Sequence, residues 1–111
     1  MFKGDIVLIP LSYQSDSAGN LKLVPALVLG LDNEGSATVA FITTQVELQD
    51  DCDLILHPKK GNGLKRRSLV RLNKMITIDK EYIAGRLGTL STREMNELNV
   101  RLLQLFELGD M

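Results

Sequence analysis

The sequence predicts a mainly β protein: a small, curved, mostly antiparallel sheet or open barrel closed by a C-terminal helix. Two observations lead to this prediction. Several short apolar runs are separated by polar turns that contain glycine, which is typical of antiparallel strands. The last stretch, residues 92–108, instead repeats its apolar residues at helical spacing. At 111 residues, we expect one domain, residues 1–111, with a core of its own.

The stretch Val24–Gln45 is the centre of the predicted sheet. It predicts two buried strands, Ala26–Leu31 and Ala37–Thr43, joined by a tight turn at residues 32–35. The second strand ends in three consecutive side chains that can form hydrogen bonds: Thr43, Thr44 and Gln45. Side chains delivered from a rigid strand are well placed to form a functional site.

The segments around this centre predict further short elements. Gly4–Leu11 predicts a first strand, and the polar Ser12–Leu21 predicts a loop. After the centre, Val46–Asp53 is acidic and expected to be exposed. Leu54–Leu56 predicts a short strand, and Lys59–Lys65 a turn in which Gly61, Asn62 and Gly63 would supply positive backbone angles.

The C-terminal third predicts one strand and one helix. Ser68–Ile78 alternates roughly and predicts a strand with polar side chains on one face. Asp79 is expected to cap a short helical turn, and Ala84–Leu90 to form a glycine-containing connector. Ser91 and Glu94 then form the pattern of a capping box at the start of the helix, which we expect to end at Gly109.

The charges are unevenly distributed in a chain of net charge −1. Residues 54–78 contain seven basic side chains and no acidic one: Lys59, Lys60, Lys65, Arg66, Arg67, Arg71 and Lys74. This pattern fits a phosphate-rich partner. It fits equally a solvated basic loop that pairs with the acidic segment upstream.

Composition and spacing argue against several other classes of protein. The single Cys52 excludes an internal disulfide and fits a reducing compartment, and no apolar run is long enough for a membrane span, so we expect a cytoplasmic protein without a membrane partner. A single histidine, His57, argues against a ribonuclease with paired histidines. We predict no metal site and no cofactor, because the acidic residues lack further spaced ligands and no glycine-rich phosphate loop precedes a helix.

Five motifs together resemble one known family over residues 3–108. They are GDIVLIPL, PALVLG, VAFITTQ, GLKRRSLVRLNKMITIDK, and LGTLS followed by the terminal helix. Their order and spacing resemble the PemK/MazF family of bacterial toxins. The resemblance implies an SH3-like barrel of the CcdB/MazF type and a homodimer. It also implies a toxin that cleaves single-stranded RNA as a metal-independent endoribonuclease and is neutralised by a cognate antitoxin.

The resemblance also implies which residues perform the chemistry. Thr43 matches the threonine of the family's I-T-S/A-Q motif and Arg71 the arginine of its V-V-R-x-D motif. Val24 stands where the family usually has an arginine before the proline, and Asn73 where it has an acidic residue. Possible supporting residues are Lys22, Thr44, Gln45, Asn73, Lys74 and the loop carboxylate Asp16. The RNA is expected to contact Lys59, Lys60, Lys65, Arg66 and Arg67.

Alternative interpretations remain at this point. Without the resemblance, Arg71 is an ordinary strand residue that pairs with Glu47 or Asp50, and Thr43 is an ordinary strand threonine. At the level of function, the departures at Val24 and Asn73 suggest a catalytically weakened member that acts as an RNA- or antitoxin-binding module. A gyrase-directed poison of the CcdB type shares the fold but has little support in the residues.

Overall fold

The computed structural model describes residues 1–15 and 21–107 and confirms the predicted fold class, a curled antiparallel sheet with one C-terminal helix. In chain order the elements are β1 (Asp5–Ser15), β2 (Leu21–Leu31), β3 (Ser36–Thr43), β4 (Leu54–Leu56), β5 (Ser68–Asp79), β6 (Gly85–Thr89) and α1 (Thr92–Leu105). Single turns of 3-10 helix lie at Val46–Leu48 and Lys80–Tyr82. Within the described ranges, no helix is long and apolar enough to cross a membrane.

The six strands form one sheet in the order β4-β5-β3-β2-β1-β6, and each neighbouring pair is antiparallel. The central β2–β3 hairpin has the predicted turn, where Gly35 adopts a positive φ of 92°. The Asp32 carboxylate accepts hydrogen bonds from the backbone N–H groups of Ser36 and Glu34, which lower the pKa of this exposed carboxyl below its ordinary value. The turn is therefore stabilised by its own side chain as well as by glycine.

Apolar side chains on the two faces of the sheet form two separate clusters. One face packs against α1 and contains Ile6, Leu27, Leu54 and Leu72, together with Leu98 from the helix. The other face contains a second buried cluster: Val7, Ile9, Ala26, Val28, Ala37 and Val39. Because both faces are buried, the central strands are apolar on both sides and do not alternate cleanly.

The sheet curls until its two edges meet at one turn. Residues 59–63, here called the closing turn, follow the edge strand β4 and touch the opposite edge strand β6. The Thr89 N–H donates to the Gly61 carbonyl oxygen at 2.9 Å, and a Cβ atom at Gly88 would overlap that same oxygen. Asn62 is 1% exposed and organises the turn: its Oδ1 accepts from the N–H groups of Lys59 and Leu64, and its Nδ2 donates to the His57 carbonyl.

Several predicted boundaries differ from the structure. The predicted loop Ser12–Leu21 is too long, because β1 continues to Ser15 and β2 begins at Leu21. The predicted connector Ala84–Leu90 is wrong, because residues 85–89 pair with β1 as the edge strand β6. Within the closing turn only Gly63 has a positive φ, of 71°.

The helix start is as predicted, and the predicted cap of the preceding turn is not. Ser91 Oγ accepts from the Glu94 N–H while the Glu94 carboxylate accepts from the Ser91 N–H, which completes the capping box. Asp79 occupies the cap position of the second 3-10 turn, but its side chain makes no capping hydrogen bond. It accepts instead from the Ser36 hydroxyl at 3.4 Å across the β3–β5 pair. The predicted end of the helix is wrong: α1 ends at Leu105 rather than at residue 108, and Glu107 has a positive φ of 57°. Gly109 itself lies outside the described residues.

A buried carboxylate anchors β1 against β6. Asp5 is 4% exposed, and its oxygens lie 2.9 Å from the Phe2 N–H nitrogen and 3.3 Å from Arg86 Nε. Burial by itself raises the pKa of Asp5, but the hydrogen bond from Phe2 and the nearby Thr89 and Arg86 side chains outweigh burial. The pKa therefore lies below its ordinary value, and the ionised form is the one that stabilises the fold.

Candidate active site

Thr43 and Arg71 lie on neighbouring strands and on the same face of the sheet. In the β3–β5 register, Phe41 is paired with Arg71 and Thr43 with Leu69. Side chains two residues apart on a strand share a face. Thr43 and Arg71 are therefore diagonal neighbours, with Cα atoms expected to be about 7–8 Å apart in this arrangement. The two residues that the sequence predicts to be catalytic are brought together by strand pairing.

Arg71 forms an ion pair with a carboxylate that the sequence had placed at the surface. Its Nε lies 3.1 Å from Oδ2 of Asp53, which is 0% exposed, while the Arg71 side chain itself is 19% exposed. The expected exposure of Val46–Asp53 is therefore wrong at Asp53, and the partner of Arg71 is neither Glu47 nor Asp50. The Nε–H bond is not directed at the oxygen, so charge rather than an aligned hydrogen bond holds the pair.

The segment that carries Asp53 is held by its own backbone and by the helix. Asp53 Oδ2 accepts from the Asp50 N–H at 2.9 Å, and the Asp53 N–H donates to the Asp50 carbonyl at 3.0 Å. The neighbouring Asp51 carbonyl accepts from Arg101 on α1 at 2.9 Å. Asp53 thus stands on a closed turn that is tied to α1, which gives the carboxylate a defined position beneath Arg71.

The Thr43 hydroxyl is oriented by the chain that follows it. Its Oγ1 accepts a hydrogen bond from the Gln45 N–H at 3.2 Å. A hydroxyl has one donor and two acceptor positions. The backbone occupies one acceptor position, and within the described residues the O–H group donates to no partner, so it can donate to a ligand on the face that Thr43 shares with Arg71. Thr43 is half-buried, whereas Thr44 and Gln45 are exposed.

Val24 lies on β2 just beyond the residues that pair with β3. The β2–β3 ladder ends at Ala26 paired with Phe41, and extending its register by two residues would place Val24 opposite Thr43. Val24 is half-buried and packs against the second apolar cluster. An arginine here would put a second guanidinium beside Thr43. In this chain that place is apolar, and the nearest predicted cation on the same face of β2 is the exposed Lys22.

A bulge interrupts β5 immediately after Arg71. The register passes from Phe41 paired with Arg71 to Ala40 paired with Met75, so residues 72–74 have no partners on β3. Leu72 turns into the core, and Asn73 and Lys74 are exposed. Bulges commonly redirect side chains next to functional sites. The alternation predicted along Ser68–Ile78 fails at this point for the same reason.

The topology brings the basic segment to the end of the sheet where Thr43 lies. Because β3 and β5 are antiparallel, β3 ends where β5 begins, and Arg66 and Arg67 directly precede β5. The predicted RNA-contacting residues are all exposed: Lys59, Lys60, Lys65, Arg66 and Arg67. Lys59 lies on the helix side, 3.6 Å from the Glu94 carboxylate. Arg66 and Arg67 therefore adjoin the end of the sheet that carries Thr43, whereas Lys59 lies beside α1.

The remaining predicted residues take different positions. Asp16 lies outside the described residues. His57 is exposed, as expected, and its carbonyl is used by the closing turn. Cys52 is half-buried and unpaired with any cysteine. Asp53 was missed by sequence reasoning; the available signal was its position directly before the apolar Leu54–Leu56, where an unpaired carboxylate is unexpected.

Comparison with known proteins agrees with this architecture. A family model described as "PemK-like, MazF-like toxin of type II toxin-antitoxin system" matches residues 2–106. No curated protein matches the chain. Three similar solved structures share the fold. An endoribonuclease in complex with its cognate antitoxin from a mycobacterial species is 16% identical, with a TM-score of 0.76 over 98% of this chain and 97% of that chain.

The second is the Mycobacterium tuberculosis toxin MazF-mt6, which is 23% identical, with a TM-score of 0.74 over 95% of this chain and 98% of that chain. The third is an endoribonuclease from a mycobacterial species, 15% identical, with a TM-score of 0.72 over 98% of this chain and 93% of that chain. At these identities the similarity establishes the fold, and each chain is matched over nearly its full length.

Proposed function

Because the chain belongs to the family of PemK-like, MazF-like toxins of type II toxin–antitoxin systems, we propose that it is an endoribonuclease that cleaves single-stranded RNA without a metal ion. The observation that carries this proposal is the placement of Thr43 and Arg71 on one face of neighbouring strands. The basic residues 65–67 adjoin the same end of the sheet. The arrangement combines a guanidinium that can bind phosphate, a hydroxyl that can donate a hydrogen bond, and a positively charged surface that can attract the nucleic acid.

Metal-free cleavage of RNA needs three things from the protein. The ribose 2′-hydroxyl must lose its proton as its oxygen attacks the adjacent phosphorus, the charge on the pentacoordinate phosphate must be stabilised, and the 5′-oxygen that leaves must receive a proton. The products are a 2′,3′-cyclic phosphate and a free 5′-hydroxyl. A single strand is the expected substrate because the 2′-hydroxyl must rotate into line with its phosphate, which an A-form duplex restrains.

Arg71 suits the second of these tasks. The guanidinium is always protonated and presents a planar fork of N–H donors to phosphate oxygens. Its contact with Asp53 involves Nε, and no hydrogen bond from the described residues occupies the two Nη nitrogens, which can bind the phosphate. The Thr43 hydroxyl, with an acceptor position taken by Gln45, donates to a phosphate oxygen or positions the ribose. Asp53 is fully buried and so cannot take the 2′-hydroxyl proton.

The test is incubation of the purified protein with a long single-stranded RNA in EDTA, with the fragment ends analysed for 2′,3′-cyclic phosphate. The informative variant is Arg71→Lys, because it keeps a cation beside Asp53 while removing the fork. We expect it to lose about 10²–10³-fold in cleavage rate. Arg93→Lys, the same change at an exposed position on α1, is the matched control and should cleave like the wild type.

A second function is favoured by one observation, the apolar Val24 at the position where the resemblance expects an arginine. It leaves the site without the second guanidinium that the resemblance would place there. On this alternative the protein binds RNA or antitoxin and does not cleave. Wild-type protein that binds the RNA in EDTA and leaves it intact would support this binding function and overturn the nuclease proposal.

We also propose the partners and the location that the family implies. These are a cognate antitoxin, a second copy of this chain in a homodimer, and the cytoplasm. One structural neighbour, an endoribonuclease, was solved in complex with its cognate antitoxin, which supports the first of these. Sedimentation of the purified protein at micromolar concentration tests the homodimer, and a mass of one chain would contradict it.

A further inference from the structure

We propose that Asp53 is a positioning residue for the reaction: it binds the Nε side of the Arg71 guanidinium and thereby aims the two Nη nitrogens at the scissile phosphate. This inference rests on the proposed function, in which Arg71 contacts the phosphate. Asp53 itself touches no substrate, because it is 0% exposed.

The burial of Asp53 supports a role directed at Arg71. A buried carboxylate is costly unless it is paired. Oδ2 receives the Asp50 N–H and lies 3.1 Å from Arg71 Nε, while Oδ1 has no hydrogen-bond partner among the described residues. Within the described part of the chain, Arg71 is therefore the cation that compensates this charge. The fold thus contains a buried carboxylate that lacks a hydrogen bond on Oδ1 within the described residues, and this carboxylate contacts the predicted catalytic arginine.

The geometry of the contact leaves Arg71 able to bind phosphate. Arginine has five N–H donors, one on Nε and four on the two Nη nitrogens. The ion pair involves Nε, whose atom is itself buried. The side chain retains 19% exposure. The charge of a carboxylate beside Nε holds that edge of the guanidinium in place, and no hydrogen bond from the described residues occupies the opposite end, which can make a bidentate contact.

The support of Asp53 continues into the helix. Two hydrogen bonds between Asp50 and Asp53 close the turn, and Arg101 on α1 donates to the adjacent Asp51 carbonyl. Arg71 also stands directly before the β5 bulge at residues 72–74, where the ladder to β3 is interrupted. At that point the backbone alone holds the side chain less firmly, and a fixed carboxylate supplies the missing restraint. A misplacement of about 1 Å is enough to cost about 10²-fold in rate.

The kinetic test compares Asp53→Asn with Asp51→Asn, the same change at an exposed residue of the same turn. The amide is isosteric and keeps an oxygen for the Asp50 N–H. We expect Asp53→Asn to lower kcat about 10–100-fold, with KM changed less than about twofold, because the RNA still binds. Asp51→Asn should match the wild type, and Asp53→Glu should recover part of the loss.

A double variant separates positioning from a general structural effect. If Asp53 acts through Arg71, then Asp53→Asn in an Arg71→Lys background should change the rate little beyond Arg71→Lys alone. Losses that multiply would show that Asp53 acts independently of Arg71 and would overturn the proposal. So would a kcat for Asp53→Asn within about twofold of the wild type.

A measurement that does not depend on cleavage distinguishes failure of this proposal from failure of the proposed function. In ¹⁵N NMR, the Nε–Hε signal of Arg71, identified by its loss in Arg71→Lys, should shift in Asp53→Asn because the charge 3.1 Å from Nε is removed, and its ¹⁵N relaxation should show a more mobile guanidinium. If wild-type protein leaves RNA intact, the nuclease proposal fails and this signal still reports whether Asp53 holds Arg71. If RNA is cleaved and the relaxation of this signal is unchanged in Asp53→Asn, only the positioning role is overturned.

Discussion

Replacing Asn62 with alanine is expected to lower the free energy of unfolding by about 3 kcal/mol, because one buried side chain holds the turn at which the sheet closes. The Asn62 amide makes three hydrogen bonds in and next to the closing turn, two as acceptor and one as donor, at 2.9–3.1 Å. Alanine leaves the N–H groups of Lys59 and Leu64 and the carbonyl of His57 without these partners.

The magnitude follows from the exposure of the groups involved. A polar group left unpaired costs about 1–3 kcal/mol, and the lower end applies where water can reach it. Lys59 and His57 are exposed residues, so about 1 kcal/mol for each of the three groups is appropriate. The loss is then a fifth or more of the ~5–15 kcal/mol that stabilises an ordinary domain.

Urea unfolding at 25 °C measures this loss as a lower midpoint at constant slope. Asn33→Ala, in the exposed β2–β3 turn, is the matched control and should change stability by less than about 0.5 kcal/mol. Hydrogen exchange adds a local readout, since the Thr89 N–H bonds to Gly61 in the closing turn and should lose protection. A loss below about 1 kcal/mol for Asn62→Ala, with Thr89 still protected, would refute this account of closure.

Three further predictions concern the edges of the sheet and the helix. Gly88→Ala should destabilise by about 1–3 kcal/mol in the same urea assay, because its Cβ meets backbone; Gly85→Ala in the same strand has open space and should be near neutral. Asp5 has a lowered pKa in the folded state, so its stabilisation is present above the unfolded pKa of about 4 and is lost as pH falls through the folded value. Asp5→Asn should therefore destabilise at pH 7 and differ less from the wild type near pH 3; an equal difference at both pH values would contradict this. Ser91→Ala removes the helix cap and should cost about 1 kcal/mol, read as a lower thermal midpoint, whereas an unchanged midpoint would show that the cap contributes nothing.

The elements that sequence reasoning predicted well are those whose signal is local. The capping box is completed by residues three apart, so Ser91 and Glu94 are sufficient to locate the start of α1. The β2–β3 hairpin is likewise defined by two apolar runs and the turn between them. The family resemblance extended this reading to the fold class. The catalytic roles of Thr43 and Arg71, at the end of β3 and within β5, stay a prediction.

The features that it predicted poorly depend on contacts that local propensity does not encode. Residues 85–89 contain two glycines and little alternation, and they form a strand because β1 presents an open edge to them. Asn62 was expected to supply a backbone angle for a turn, whereas its side chain forms the hydrogen bonds of the closing turn. The strand depends on a partner that lies far away in the chain. The Asn62 hydrogen bonds depend on a turn geometry that local propensity does not encode.

The sequence by itself determined the fold class. The apolar periods, the turn residues and the capping box specify strands, a hairpin and a terminal helix, because each of these signals acts within a few residues. The tertiary structure alone decided which side chains meet. Asp53 lies eighteen positions before Arg71 in an acidic segment that looks exposed, and only the pairing of β4 with β5 brings the two together. Because Asp53 is buried, its charge must be compensated, and Arg71 compensates it. No local pattern in the sequence predicts this contact.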